Sequence, residues 1–224
     1  MQIIEAIRTR KSIRGYKPEP VPKEILRQVL EIAGLAPSAM NSQPWEFYVL
    51  SGEVLDKIRQ ANVRNLHAGV PPKGEQSVVG WSKESVYRKR QVELAVQLFQ
   101  LMGIERHDKH KRDNWTERGF RFFDAPAAII VLTDKSLEFD APLLDIGIVL
   151  QTICLASLEY GLGTCIADQG CLYPEVLREN AGIPDNKRII MSIAIGYPDW
   201  EYPANQVSTA RVPIDEMVKW RGFD

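Results

Sequence analysis

The longest apolar run, Leu143 to Leu158, most constrains what the chain can build. It is shorter than the ~20 residues a bilayer requires, and Asp145, Gln151, Thr152 and Ser157 interrupt it. It reads instead as a helix buried within protein, closed by Gly161, the residue type expected just past a helix end. A second run, Ala127 to Leu132, is short and rich in β-branched residues, and reads as a buried strand. With 224 residues, 45% of them hydrophobic and 25% charged, the chain has enough apolar material to cover both in one continuous core.

The remaining pattern alternates between helical and extended periods. Ile3, Ile4 and Ile7 recur at helical spacing. A second helix starts at Val21-Pro22, with proline at its first position and Ile25, Leu26, Val29, Leu30 and Ala33 on one face. Gly34 to Pro44 is a loop of small and polar residues. Trp45 to Leu50 is a strand stopped by Ser51-Gly52. A short helix is expected from Glu53 to about Ala61, then an irregular stretch over 62–82 centred on Pro71-Pro72-Lys73-Gly74. A connection that long inside a compact domain suggests a lid or binding loop. Ser82 to Gly103 is again helical, and residues 104–119 are charged and aromatic. Thr164 to Ala167 and Arg188 to Ile195 read as strands, with a short helix from Pro174 to Asn180 between them. The tail from Tyr197 has no strong period yet keeps Trp200, Trp220 and Phe223, so it is expected to pack on its own body or on a partner. With no repeat and no flexible linker, residues 1–224 are expected to form a single α+β domain.

Several function classes are disfavoured. A net charge of -1 argues against nucleic acid as partner, although a local basic cluster can still hold a small anion. Cys154, Cys165 and Cys171 form no CxxC pair, so reduced thiols in a cytoplasmic protein are expected. The N-terminal stretch carries Glu5 and no cleavage pattern, so neither a signal peptide nor a membrane partner is expected. His107, Asp108, His110 and Asp113 lie among Lys109, Lys111 and Arg112, which reads as a solvated face; no metal is expected. No nucleophile elbow GxSxG is present, and Cys165 reads as a small apolar strand residue. Trp81, Tyr87, Phe99, Phe120, Phe122 and Phe123 as a set read as core, with some available to line a substrate pocket.

Arg8, Arg10, Lys11 and Arg14 fall within seven residues around Ser12. Guanidinium forks and a hydroxyl suit phosphate oxygens, but a basic turn favoured by a helix C-terminal dipole has the same composition. Spacing alone does not choose between them. No GxGxxG and no GxxxxGK[ST] is present, so a bound phosphate would rely on side chains.

Arg10-Lys11-Ser12-Ile13-Arg14-Gly15-Tyr16 together with Pro37-Ser38-Ala39-Met40-Asn41-Ser42-Gln43-Pro44-Trp45 resembles the paired signature of FMN-dependent nitroreductases. Gly161-Leu162-Gly163-Thr164-Cys165, Ala194-Ile195-Gly196-Tyr197-Pro198, Asn205 and Arg211 continue the likeness in order along the chain. The resemblance implies that Arg10, Ser12 and Arg211 hold the FMN phosphate. It places Arg14 at N1 and the O2 carbonyl of the ring, where its charge favours reduction. Lys11 stands where arginine is more usual. Pro37, Ser38, Ala39 and Asn41 are implied to cross a dimer interface to the partner's flavin, although Ala39 and Met40 replace small polar residues. Gln43 is implied to lie near the ribityl chain or ring edge, and Ile166, Ala167, Asp168 and Gln169 beside flavin N5.

The implied fold is a central mixed, mainly antiparallel sheet surrounded by helices, in a homodimer whose C-terminal tail, about 198–224, wraps the partner. The implied activity is ping-pong reduction of a small nitroaromatic or quinone-like acceptor by NADH or NADPH, without an acid–base residue. Gly103 to Asp108 and Trp220 to Phe223 resemble the nitrobenzoate-reducing subgroup most. Residues about 62–123 would contain the pocket-lining lid. Reductive dehalogenation of iodotyrosine type, with Tyr87 and Lys89 or Lys83, the flavin-destroying step of cobalamin lower-ligand synthesis, and flavin-based redox sensing remain as alternatives on the same fold.

Overall fold

A computed structural model describes residues 2–223. Four strands, β1 (Glu46–Ser51), β2 (Ala127–Asp134), β3 (Gly163–Ala167) and β4 (Lys187–Gly196), form one antiparallel sheet in the order β1-β2-β4-β3. The expected mixed character survives only as an isolated parallel bridge between Ser12 and Thr164, outside the named strands.

Apolar continuity in β2 follows from cover on both faces. Ala128, Ile130 and Leu132 point to one side, against α3 (Gly52–His67), α7 (Pro174–Ala181) and Phe120, Phe122 and Phe123. Ala127, Ile129 and Val131 point to the other, against α2 (Lys23–Ala33) and α6 (Leu143–Glu159). Two helices run further from the sheet, α4 (Val86–Leu101), capped by Ser85, and α5 (Lys109–Phe120), capped by Asp108. A first helix, α1 (Ile3–Thr9), and a last short one, α8 (Ile214–Met217), complete the described chain. Among the described residues, no helix is long and apolar enough to cross a membrane.

Three differences from the sequence reading have physical causes. The α3 helix runs to His67 rather than ending near Ala61, because Asn62 is fully buried and donates to the carbonyls of Phe120 and Gly170. The charged run before β2 is helix α5. The apolar helix α6 is only partly buried: Ile146, Val149, Ile153 and Cys154 face the core, while Leu144, Gly147 and Gln151 form an uncovered stripe at helical spacing.

The tail divides at Val207. Ala204 and Val207 are buried against Leu98 of their own chain, with Trp115 and Tyr202 alongside, and Asn205 is buried between them in sequence. Beyond Val207, the side chains of Ile214, Met217, Trp220 and Phe223 are exposed, Trp220 meeting Phe223 edge-on at 5.4 Å.

Candidate active site

The basic segment leaves the C-terminus of α1 and lies along the outer edge of β3. The Ile13 N–H donates to the Thr164 carbonyl at 2.9 Å, which makes this contact the start of a short parallel pairing. Gly163 permits it: a Cβ there would stand 2.5 Å from Ile13 Cγ1 and 2.8 Å from Pro198 Cγ.

Backbone groups of Ile13, Arg14 and Gly15 are then satisfied by distant parts of the chain. The Tyr16 hydroxyl donates to the Ile13 carbonyl (2.8 Å) and to that of Ala194 (3.1 Å). Burial raises this hydroxyl well above the ordinary tyrosine value, so it stays a donor. Asn205 Oδ1 accepts the Arg14 N–H at 2.7 Å, and Asn205 Nδ2 donates to the carbonyls of Gly15 (2.7 Å) and Asp199 (2.8 Å). One arginine side chain, Arg118, donates to the Arg14 carbonyl at 3.1 Å. Tyr202 packs against Gly15, where a Cβ would fall 2.1 Å from the ring.

What this rigid backbone presents is charge without counter-charge. Arg10, Lys11 and Arg14 are half-buried, and among the described residues no carboxylate pairs with any of them. Neighbouring half-buried cations that lack acidic partners fit an anion, and Ser12 adds a hydroxyl donor beside them. Because the Thr164 carbonyl faces this segment and strand groups alternate sides, Ile166 presents its backbone to the same open edge two residues on. Its side chain is 39% exposed, an apolar surface next to the cations. Ala167, Asp168 and Gln169 follow, half-buried. A donor set suited to phosphate beside an exposed apolar strand edge fits a phosphorylated flat ring such as FMN.

The loop of Pro37, Ser38, Ala39, Asn41 and Gln43 lies elsewhere. Both oxygens of buried Asp145 accept the Ala39 N–H at 3.2 Å. The Ser38 hydroxyl accepts the Gln43 N–H, and Gln43 Nε2 donates to the Asn41 carbonyl. Met40, Asn41 and Gln43 adopt left-handed backbone, with φ of 53°, 59° and 46°. The far end of α6 leads into Gly163 beside the basic segment, and at ~1.5 Å per residue the helix from Asp145 to there spans roughly 20 Å. One chain thus keeps the loop and the basic segment apart.

Arg211 also lies away from the cluster. It is exposed, donates to the Thr209 and Ala210 carbonyls and the Thr209 hydroxyl, and lines an 830 Å³ groove with Trp81, Tyr87 and Arg90. The aromatic set divides accordingly. Phe120, Phe122 and Phe123 are core, whereas Trp81 and Tyr87, 6.4 Å apart, line that groove.

The cysteines are free and buried. Burial raises the Cys165 thiol against the opposing pull of Arg14 and Ser12, and pushes Cys171 to about 12, so neither supplies a thiolate near neutral pH. Among the described residues no group of three or more acidic, histidine or cysteine side chains is placed to hold a metal. Arg118 and Tyr202 are the contributors the sequence reading missed. Arg118 sits at the end of a run that looks solvated, and the signal available was Gly119 beside it, which allows Gln169 to pack where a Cβ would be.

A family model described as "Nitroreductase family" matches residues 7–197. The chain is 35% identical over 218 residues to a chloronitrobenzene nitroreductase of Comamonas testosteroni, covering 96% of this chain and 95% of that one. It is 31% identical over 223 residues to a 4-nitrobenzoate reductase of Nocardioides sp. (strain LMS-CY), covering 95% and 87% respectively. The crystal structure of an FMN- and NADPH-dependent nitroreductase from Sphigopyxis sp. strain HMH superposes with a TM-score of 0.94 over all of both chains at 28% identity.

Proposed function

Since the chain belongs to the nitroreductase family, we propose that it is an FMN-dependent oxidoreductase reducing small nitroaromatic compounds at the expense of NADPH or NADH. The observation that carries this reading is the unpaired, half-buried cation cluster laid along the open edge of β3. FMN, when bound, supplies the chemistry by accepting a hydride from the nicotinamide and passing two electrons to the acceptor.

The chain's own residues bind and orient. Arg10 and Ser12 hold the phosphate, with Lys11 adding positive potential. Arg14 would lie toward the pyrimidine side of the ring, where its charge would favour the electron-rich state. The Ile166 backbone and the side chains of Ala167, Asp168 and Gln169 would border the opposite part of the ring. No side chain is asked to move a proton, which agrees with the raised Cys165 and Tyr16 groups.

A second copy of the chain completes each site. Pro37, Ser38, Ala39, Asn41 and Gln43 then reach the flavin of the partner, and residues after Val207, including Arg211, extend across it. Support comes from the distance between loop and basic segment within one chain, and from apolar side chains left exposed on α1, α6 and the loop: Ile3, Ile4, Ile7, Leu144 and Met40. A cytoplasmic location and a single-domain chain accord with this reading. The relatives' substrates, chloronitrobenzene and 4-nitrobenzoate, define the acceptor class to try first.

Purified protein should take up FMN, show rapid flavin bleaching with NADPH or NADH, and recover its colour when 4-nitrobenzoate or a chloronitrobenzene is added. Failure to take up FMN sinks the reading. Bleaching without acceptor-dependent recovery would point to a flavin sensor instead, and turnover of iodotyrosine alone to dehalogenation.

A further inference from the structure

The end of α5 and the turn after it join the two segments that border the proposed flavin ring. Phe122, Phe123 and Asp124 form one turn in left-handed backbone, with φ of 56°, 53° and 58°. Such backbone is unfavourable for a non-glycine residue, and strain of this kind persists only where surroundings over-determine it. Here three guanidiniums do so. Arg59 donates to the Ala125 carbonyl just past the turn, Arg121 pairs with Asp124 at 2.7 Å, and Arg118 pairs with Asp124 at 2.8 Å while donating to the Phe123 carbonyl at 3.3 Å.

Only Arg118 also reaches the basic segment, through the Arg14 carbonyl. Its guanidinium stacks over the Tyr202 ring at 4.8 Å, and Tyr202 is the ring packed on Gly15. On the other side the turn meets the second segment: a Cβ on Gly170 would stand 2.2 Å from the Phe122 ring, and one on Gly119 2.0 Å from the Gln169 side chain. The strained turn therefore abuts the stretch after β3, and Arg118 ties that turn to the backbone of Arg14.

We propose that Arg118 is a positioning residue for Arg14: it fixes the carbonyl of Arg14 and so holds the Arg14 guanidinium where it raises the electron affinity of the bound flavin. The assignment rests on the FMN reading above. The rest of the clamp does not depend on Arg118, because Thr164, Tyr16 and Asn205 hold the neighbouring groups. Asp124 also keeps Arg121 when Arg118 is lost. Removing Arg118 thus frees the carbonyl of Arg14 while the fold stays anchored.

The test is the midpoint potential of bound FMN, measured spectroelectrochemically in wild type, Arg118→Met, Arg14→Met and the double variant. Arg118→Met is expected to bind FMN and to lose about tenfold in preference for the reduced state, roughly 30 mV for a two-electron couple. Arg14→Met should lose more, and the double variant no more than Arg14→Met alone, because the first residue acts through the second. Arg118→Lys should recover part of the loss. An unchanged potential in Arg118→Met overturns the proposal. So does a shift that adds in full on the Arg14→Met background, since that marks a direct field effect of Arg118. Should Arg118→Met fail to fold, Arg118→Lys and Asp124→Asn carry the same test with smaller shifts, and no shift in either overturns it. A wild-type protein that takes up no FMN refutes the underlying function instead, so the two failures are distinguishable.

Discussion

The basic segment beside β3 and the loop before β1 are both candidate flavin contacts, yet the chain builds them in opposite ways. Around Ile13, Arg14 and Gly15, the backbone is held by Thr164, Tyr16, Asn205 and Arg118, all but one of them distant in sequence. The loop of Ser38 to Gln43 is tied to a distant element by the Asp145 carboxylate on Ala39 and otherwise bonds within itself, and its tip residue Met40 is 99% exposed. One region is finished inside the chain, and the other is offered outward. That asymmetry is what a shared site requires: a rigid half that sets cofactor geometry, and a projecting half that meets the cofactor of a second copy.

The contrast breaks most sharply at Asn205. Its side chain is fully buried and makes three hydrogen bonds to backbone around the basic segment. Asn205→Ala removes three hydrogen bonds at ~1 kcal/mol each and orphans the Arg14 N–H, whereas the Gly15 and Asp199 carbonyls keep the N–H groups of Asp199 and Tyr202. Urea denaturation should register a loss of about 3 kcal/mol, together with weaker FMN binding. A loss under ~1 kcal/mol would mean that the segment is not held as rigidly as its bonds imply.

Glu75 offers a control of similar kind, since the bonds of its carboxylate go to Ile189, Arg178 and Lys135 and to neither region. Its carboxylate accepts the Ile189 N–H at 2.7 Å, pairs with Arg178 at 2.8 Å and lies 3.4 Å from Lys135. Burial alone would raise this carboxyl, but those donors outweigh it and hold it below its ordinary range. A carboxyl lowered in the folded state contributes stability that is present above its unfolded value, about 4.3, and lost as pH falls through the folded one. Glu75→Gln should therefore cost about 2 kcal/mol at pH 7. Thermal melts of the two proteins should converge as pH drops below ~4. FMN affinity at pH 7 should not change, because Glu75 ties the 70s loop to the start of β4 and not to the basic segment. A parallel loss of FMN would show that general stability, rather than the local clamp, governs the site.

Much of this was legible in the sequence for identifiable reasons. The strands were readable because β2 and β4 are apolar on both faces, and the Arg10 to Arg14 cluster because the Pro37 to Trp45 loop and later blocks accompany it in order along the chain. The tail was readable only in part. Trp200 and Trp220 marked it as a segment that packs, but Ala204 and Asn205 carry no apolar bulk, and it is they that are buried. Arg118 was hidden for a related reason. It closes a run in which Lys109 and Asp113 pair in solvent, and its partners, the Arg14 carbonyl and the Tyr202 ring, lie far away in sequence. Exposure along α6 was equally invisible, since an apolar stripe reads the same whether its cover comes from its own chain or from another.

The smallest expected effect on the folding of one chain, and the one that bears most directly on the offered loop, is at Met40. Its side chain touches almost nothing within the chain, and its left-handed backbone, φ 53°, suits asparagine better than methionine. Met40→Asn should thus leave the unfolding free energy of the dilute chain within ~0.5 kcal/mol of wild type. Against a second copy the change is different. Burying a methionine side chain contributes about 1.5–3 kcal/mol, and twofold symmetry makes the loss count twice. Sedimentation equilibrium should then show a dimer dissociation constant raised at least about tenfold, since each 1.4 kcal/mol is one decade. Because asparagine relieves rather than adds backbone strain, a weakened dimer could not be blamed on a misfolded loop. A dissociation constant that stays put would mean that Met40 meets no partner, and the loop would then be an exposed turn rather than half of a shared site.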